Sequence, residues 1–392
     1  MSYLNTLLQG VEIEWTTLGE VAEIGTGTSN RNEEDENGKY PFYVRSQHVL
    51  KSNHFQFDET AILVPGEGGI GDIFHFVQGK YALHQRAYRI KILKSELEPK
   101  FLYFYMRNNF KSYILTKSVG ATATSIRKPM LEGFQIPIFC PDNPKKSLEI
   151  QQKIVGILDK FTELTAELTA ELTAELTARK QQYHYYREKL LSFEEGEVEW
   201  QPLGEIGEFI RGRRFVKDDI IPEGVPCIHY GEMYTHYNIW AKESKSFLSA
   251  DLAKKLRSAK KGDVVFVAAG ETIEDIGKAT AWLGEEDVVI HDACFFYKST
   301  LNPKYVAYFS RTKQFHDQIK KHISSGKISA INARGLEKVI IPVPSPEEQE
   351  RIVTILDKFD VLTSSISEGL PKEIELRKKQ YEYYRDRLLA FV

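Results

Sequence analysis

Four separate segments of this 392-residue chain occur twice, in the same order. EIEWTTLGEVAEIGTG at residues 12–27 returns as EVEWQPLGEIGEFIRG at 197–212, and IPIFCP at 136–141 returns as IPVPSP at 341–346. IQQKIVGILDKF at 150–161 returns as EQERIVTILDKF at 348–359, and RKQQYHYYREKLLSF at 179–193 returns as RKKQYEYYRDRLLAF at 377–391. Four ordered matches identify a tandem duplication, which constrains the architecture more than composition does. The stretches inside the frame are unlike. They share only scattered Gly, His and Ile positions, and the second is the longer one. The pattern fits a common frame that carries two variable modules doing different versions of one job.

The closing part of each copy reads as helix. In the first, Thr-Ala-Glu-Leu runs three times from Thr165 to Leu176, and between Leu148 and Phe193 only Gly156 opposes helix formation. Leu164, Leu168, Leu172 and Leu176 align with Leu362, Ile366, Leu370 and Ile374, an apolar residue every fourth position in spacers of equal length, 162–178 and 360–376. A fourfold spacing drifts by about 40° per step around a helix, so such stripes suit a short antiparallel pair. Gly369-Leu370-Pro371 is expected to kink or restart the second helix, with Ser367 as a candidate cap. Leu7-Leu8-Gln9-Gly10 resembles the tail of a helix such as 190–193. This suggests that the C-terminal helix closes onto the N-terminal stub.

Each interior mixes strand-like runs (61–64, 88–92, 264–267, 293–297) with glycine turns and helical stretches at 100–107 and 304–312, an α/β module with a twisted sheet. Composition is that of a globular protein, with 42% hydrophobic and 27% charged residues. No apolar run approaches the roughly 20 residues that cross a bilayer, and MSYLNTLLQG lacks a signal-peptide pattern. Cys140, Cys227 and Cys294 are isolated, which fits reduced cysteines of an intracellular protein rather than a zinc site or a disulfide frame. The formal net charge is −3, so nucleic-acid binding has to rest on local patches.

Catalytic patterns are missing from the sequence. It has no Asn/Asp-Pro-Pro-aromatic run, no HExxH, no GxSxG and no paired-carboxylate signature, and GEGGIGDIF at 66–74 lacks the Lys-Ser/Thr of a phosphate loop. The chain reads as a binder, with donor clusters near turns. In the first module these are Thr28, Asn30 and Arg31; Arg45 and Gln47; His84, Gln85 and Arg86; and Thr124, Ser125 and Arg127. In the second they are Arg211, Arg213 and Arg214; His291; Ser324, Ser325 and Lys327; and Asn332 and Arg334. Arg pairs with guanine, Asn and Gln pair with adenine, and Ser, Thr and Lys suit phosphates. For His84 and His291, each after an expected strand, a structural role competes with base contact. Tyr183, Tyr186 and Arg187, with their twins Tyr381, Tyr384 and Arg385, suit packing between helices or against a partner.

The duplicated EIEW…LGE starts, the IPIP-like run before Gln-x-x-Ile-Val-x-Ile-Leu-Asp-Lys-Phe, the TAEL repeats and the RKQQYxYYR helices resemble the DNA-specificity subunit of Type I restriction-modification enzymes, IC-like subfamily. The resemblance covers the whole chain. It implies two globular α/β target-recognition domains, 1–146 and 194–344, joined by two long antiparallel coiled-coil helices, 147–193 and 345–392, in a pseudo-twofold, quasi-circular arrangement. It further implies a non-catalytic, cytoplasmic bacterial subunit that binds double-stranded DNA, each module reading half of a split asymmetric target. Two methyltransferase subunits would dock on the helices, bringing the S-adenosylmethionine that this chain does not itself bind, and two motor-nuclease subunits would complete the restriction complex. The alternative is a scaffold whose two modules recognise proteins.

Overall fold

The computed structural model describes residues 7–117, 125–270, 272–324, 328–365 and 367–391. The chain divides into two compact units, residues 1–171 with 374–392, and residues 172–373. Each unit therefore combines one module with the end of the helix that closes the other copy.

The first module is built on a six-stranded sheet in the order Ala22–Thr26, Ala87–Ile92, Phe57–Pro65, His75–Leu83, Tyr40–Tyr43, Leu50–Ser52. Its inner face packs Ile24, Ile62, Val64 and Ile90 against Phe101, Met106 and Phe110 of the helix Pro99–Thr116. Glu98 caps that helix by accepting from the Lys100 N–H, and Pro99 occupies its first position, where no N–H is needed. A separate two-stranded ribbon pairs Ile13–Thr17 with Gln135–Phe139. Those are the duplicated EIEW and IPIF segments, now seen as one antiparallel ladder. Glu199–Pro202 and Ile340–Val343 repeat it in the second copy.

The second module has the same plan with one strand divided. Gly207–Arg211, Cys294–Ser299, Val264–Val267, Ala279–Trp282 and Trp240–Ala241 form a five-stranded sheet. Ser246–Leu248, Val225–Ile228, Val288–Ile290 and Ser258–Ala259 form a four-stranded one. The long strand His75–Leu83 of the first module thus corresponds to two short ones, Ala279–Trp282 and Val288–Ile290. The parallel pairing survives: Tyr43 faces Leu83 as Ile228 faces Ile290. The interiors share far more than their sequences suggest, because backbone pairing rather than side-chain identity fixes this topology.

The central helix runs unbroken from Pro144 to Leu190, 47 residues, as its composition predicts. The repeated Gln and Asp positions explain why this segment is duplicated. Gln151 accepts the Glu98 N–H at 2.8 Å and Gln349 accepts the Asn302 N–H at 2.9 Å. Lys100 Nζ donates to Asp159 at 2.7 Å, and Lys304 Nζ donates to Asp357 at 2.6 Å. Between these polar clamps Ile154 and Leu158, or Ile352 and Leu356, are fully buried. The same helix face is seated on each module by the same chemistry.

The second helix is two helices, Pro346–Ser364 and Gly369–Leu388. Gly369 has φ +76, and a Cβ there would lie 2.4 Å from the Val361 carbonyl oxygen, so the chain restarts at the glycine. Ser365, rather than Ser367, takes the restart N–H groups: its Oγ accepts from the backbone N–H of Ser367 (3.3 Å) and Glu368 (3.0 Å). The matched stripe therefore crosses a break, and Ile366 lies outside the described residues. Leu164 is 50% exposed, while Leu168, Leu172, Leu176, Leu362, Leu370 and Ile374 are half-buried.

Leu388, Leu389 and Phe391 belong to the core of the first unit, with Leu7, Leu8 and Val11 packed on it. The closure expected at the termini is present. Correspondingly, Tyr183 and Leu191 enter the core of the second unit, with Leu190 and Phe193 alongside. In the first unit Phe161 meets Tyr384 at 5.8 Å and the Thr162 and Tyr381 hydroxyls lie 3.0 Å apart. This is an antiparallel contact between the two helices.

Candidate nucleic-acid interface

One turn organises each module's candidate residues. In the first, Gly27 ends the edge strand so close to its neighbour that a Cβ would sit 1.9 Å from the Leu83 carbonyl oxygen. Ser29 then donates to that carbonyl, and Gln85 donates back to Ser29. The His84 turn is closed by its own ring, whose Nδ1 accepts the Arg86 N–H at 3.0 Å. In the second module Gly212 is pinned likewise, a Cβ there lying 2.3 Å from the Ile290 carbonyl oxygen. Arg213 donates to that carbonyl, and His291 Nδ1 accepts the Ala293 N–H at 3.1 Å.

Around the first turn the donor clusters converge. Gln85 Nε2 donates to Asn30 Oδ1 at 2.7 Å. Arg45 and Arg86 each donate through Nη1 to the same Glu67 oxygen, at 2.9 and 3.0 Å. The Gly66 carbonyl accepts from Ile126, which brings Ser125 and Arg127 alongside. Thr28 and Ser29 are bridged by the Gln56 amide. Arg31, Arg45, Gln47, Gln85, Arg86, Ser125 and Arg127 are exposed. Thr124 lies outside the described residues.

Around the second turn, Arg211 Nε donates to the Asp292 carbonyl at 2.9 Å and Arg213 Nη1 to the Lys255 carbonyl at 2.7 Å. Arg214 is exposed beside them. Ile331 donates to the Ala268 carbonyl, so the segment carrying Ser324, Asn332 and Arg334 borders the same end of the sheet. Ser325 and Lys327 lie outside the described residues.

Several candidates are already engaged in the fold. His84 and His291 are 9% and 8% exposed and use Nδ1 to close turns, and the His291 ring also hydrogen-bonds the Phe215 backbone, so the structural role prevails. Burial holds both imidazoles below their usual range, and for His84 the Arg45 and Arg86 charges add to that effect. Asn332 caps the short helix Ala333–Glu337 through its side chain, and the Ser324 hydroxyl donates to the Ala330 carbonyl. Among the helix residues, Tyr183 is buried and stacks on Phe359 at 6.1 Å, and Tyr186 stacks on the same ring at 5.5 Å. Tyr183 therefore offers no face to a partner, which corrects its place among the partner-facing residues. Arg187 lies over Tyr183, and Arg385 donates to Asn108 at 2.9 Å. The rings that do face outward are Tyr185 and Tyr383, 58% and 55% exposed, with Tyr384 at 44%.

The residues that sequence reasoning passed over are Glu67, Gln56, Tyr230 and Arg257. Arg257 Nη1 donates to the Arg211 carbonyl at 2.8 Å. Tyr230 follows the strand Val225–Ile228 by two residues, as Arg45 follows Tyr40–Tyr43. That spacing is the signal that could have found it. Pro226 disguises that strand in sequence as Pro41 disguises the other, and Arg45 stands out only by its charge.

Two unlike sets of side chains on two copies of one backbone turn define a double recognition protein. Residues 11–178 and 196–376 match the family described as Type I restriction modification DNA specificity domain, and the chain belongs to that family. It is similar to the Type I restriction enzyme EcoR124I/EcoR124II specificity subunit of Escherichia coli, at 34% identity over 434 residues covering 100% of this chain and 97% of that one. A putative type I restriction enzyme specificity subunit of Haemophilus influenzae, S.HindORF215P, is 32% identical over 100% of this chain and 98% of its own. Two solved structures share the fold. The HsdS subunit from Thermoanaerobacter tengcongensis has a TM-score of 0.57 at 16% identity, covering 96% of this chain and 95% of that one. A chain from a study of complex assembly and conformational transition of the type I R-M system has a TM-score of 0.68 at 15% identity, covering 96% and 97%.

Proposed function

We propose that this chain is the sequence-reading subunit of a Type I restriction-modification enzyme, each module reading one half of a bipartite, asymmetric DNA target. The observation that carries this is the pair of turns at His84 and His291, which hold different exposed side chains on the same hydrogen-bonded backbone. Equivalent frames with unequal side chains suit two half-sites of unequal sequence. The helices set the gap between half-sites, as the TAEL repeat of the IC-like subfamily suggests, and dock two methyltransferase subunits. Those subunits supply S-adenosylmethionine and the chemistry; two motor-nuclease subunits join for cleavage, in the cytoplasm. The net charge of −3 agrees with partners that provide much of the phosphate contact.

The test is to map methylated adenines in cells that express this chain with its methyltransferase, with and without residues 201–340 exchanged for another subunit's second module. One half-site changes and the other stays. Change in both, or methyl transfer by the purified chain alone, overturns the reading.

A further inference from the structure

Backbone hydrogen bonds align the two modules residue by residue. Tyr43 and Ile228 hold the same register against Leu83 and Ile290, so Arg45 and Tyr230, each two residues further on, correspond. The matching histidine turns make Arg86 the counterpart of Ala293. Gly66 donates to the Arg86 carbonyl at 2.8 Å, and Ala268 donates to the Ala293 carbonyl at 2.8 Å, so Glu67 and Ala269, the next residues, also correspond. The neighbours agree: the Tyr230 ring lies 5.1 Å from that of His291, and Arg45 is close enough for its charge to act on His84.

These three positions hold opposite chemistries. In the first module they are Arg, Glu and Arg, a cluster in which one carboxylate oxygen holds two guanidiniums. In the second they are Tyr230, Ala269 and Ala293, and all three line a hollow of about 470 Å³ shared with Tyr234, Gly270, Thr272, Asp275 and Ile328. The hollow lies where the first module is filled. Ile328 at its rim is 62% exposed and Tyr230 is 37% exposed, while the Tyr234 hydroxyl is spent on the Ala269 carbonyl at 2.6 Å.

We infer that these corresponding positions select the base in each half-site: Arg45 and Arg86 read a guanine, and the Tyr230–Ala293 hollow takes the methyl group of a thymine. The inference rests on the proposed reading of the chain as a DNA reader. A guanidinium fork matches the O6 and N7 acceptors that guanine shows in the major groove, and Glu67 keeps two forks side by side. The phenol ring, methyl groups and aliphatic rim of the hollow offer apolar contact, while its Asp275 carboxylate is engaged by the Thr272 hydroxyl and Lys278; the thymine methyl is the apolar group a base edge presents there. Glu67 acts here as a positioning residue.

The experiment uses the complete methyltransferase complex and reads the methylated motif genome-wide, with duplex competition as a second readout. Arg45→Ala and Arg86→Ala relax a guanine in the first module's half-site by about ten-fold or more, with the second half-site unchanged. Tyr230→Arg reduces preference for an A·T pair in the second half-site by a similar factor, with the first unchanged. All three side chains are exposed, and the untouched half-site in each variant reports an intact fold. Ile328→Asp, at a still more exposed position, repeats the second-module test by a different route. Unchanged motifs in the arginine variants, or in both Tyr230→Arg and Ile328→Asp, overturn the inference while leaving the DNA-reading function in place. A wild-type complex with no bipartite motif overturns both.

Discussion

Phe161 and Tyr384 bring their rings to 5.8 Å, and the residues 198 positions away from each, Phe359 and Tyr186, do the same at 5.5 Å. One aromatic contact is thus made twice, once in each unit, between the start of one copy's helix and the end of the other's. Its energy is measurable by a double-mutant cycle. Phe161→Ala and Tyr384→Ala, singly and together, are expected to show a coupling of about 0.5–1.5 kcal/mol in denaturant unfolding. Strict additivity would mean that the rings touch without contributing. Phe359→Ala, which loses two tyrosine partners, is expected to cost more than Phe161→Ala.

Glu67 places a negative charge among the first module's candidate DNA contacts. Glu67→Ala is expected to raise affinity for unrelated DNA by roughly two- to five-fold at low salt, an effect that fades as salt screens it. Discrimination of that half-site is expected to fall in the same variant, because Arg45 and Arg86 lose their shared anchor. Titrations with target and non-target duplexes at two salt concentrations separate these effects. A variant that weakens both kinds of binding equally would show that Glu67 serves folding alone.

Acid is expected to destabilise both modules through their histidines. Burial lowers the pKa of His75, His84, His229, His291 and His316, so the unfolded chain takes up protons that the folded chain refuses. Stability is therefore fully present above the ordinary value near 6.5 and falls as pH drops below it, by at most about 1.4 kcal/mol per pH unit for each histidine. His291→Asn, whose side-chain oxygen can accept the Ala293 N–H, is expected to flatten that slope. Denaturation midpoints between pH 7.5 and 5.0 check it, and an unchanged slope counts against the mechanism.

Length in the central helix is expected to convert into spacing on DNA. Four residues add about 6 Å and roughly 40° of helix, against about 3.4 Å and 34–36° for a base pair. Deleting Thr173–Leu176 is expected to shorten the gap in the methylated motif by one base pair with both half-sites kept. An unchanged gap would make the repeat a plain linker, and loss of all methylation would show that the helix pair itself fails.

The frame was legible because its determinants are local and repeated. Gln151 and Gln349, or Asp159 and Asp357, stand at matched places in matched helices, and the restart at Gly369 follows from a glycine next to a proline. The interiors were harder. The strand His75–Leu83 has a counterpart interrupted by residues 283–287, so no alignment of side chains reveals that the sheets agree. Candidate donors were recognisable as residue types near turns, but which of them the fold uses was not. Asn332 became a cap, His84 and His291 closed turns, and Tyr183 went into a core, because each of those outcomes depends on a partner far away in sequence. Tyr230 was missed for the converse reason: a tyrosine after a proline-containing strand carries no charge to attract notice.

The turns at His84 and His291 are held by carbonyls, amide hydrogens and one ring nitrogen, and Arg45, Gln85, Arg86 and Tyr230 contribute no side chain to the core beneath them. Selection on such a protein is split between two almost independent accounts of fitness, one kept by the scaffold and one by its exposed loops. A lineage can drift at Arg86 or Tyr230 without first surviving an unfolded intermediate. New recognition is then reached by single, foldable steps, and the same ancestral half, copied once, is free to diverge into two readers.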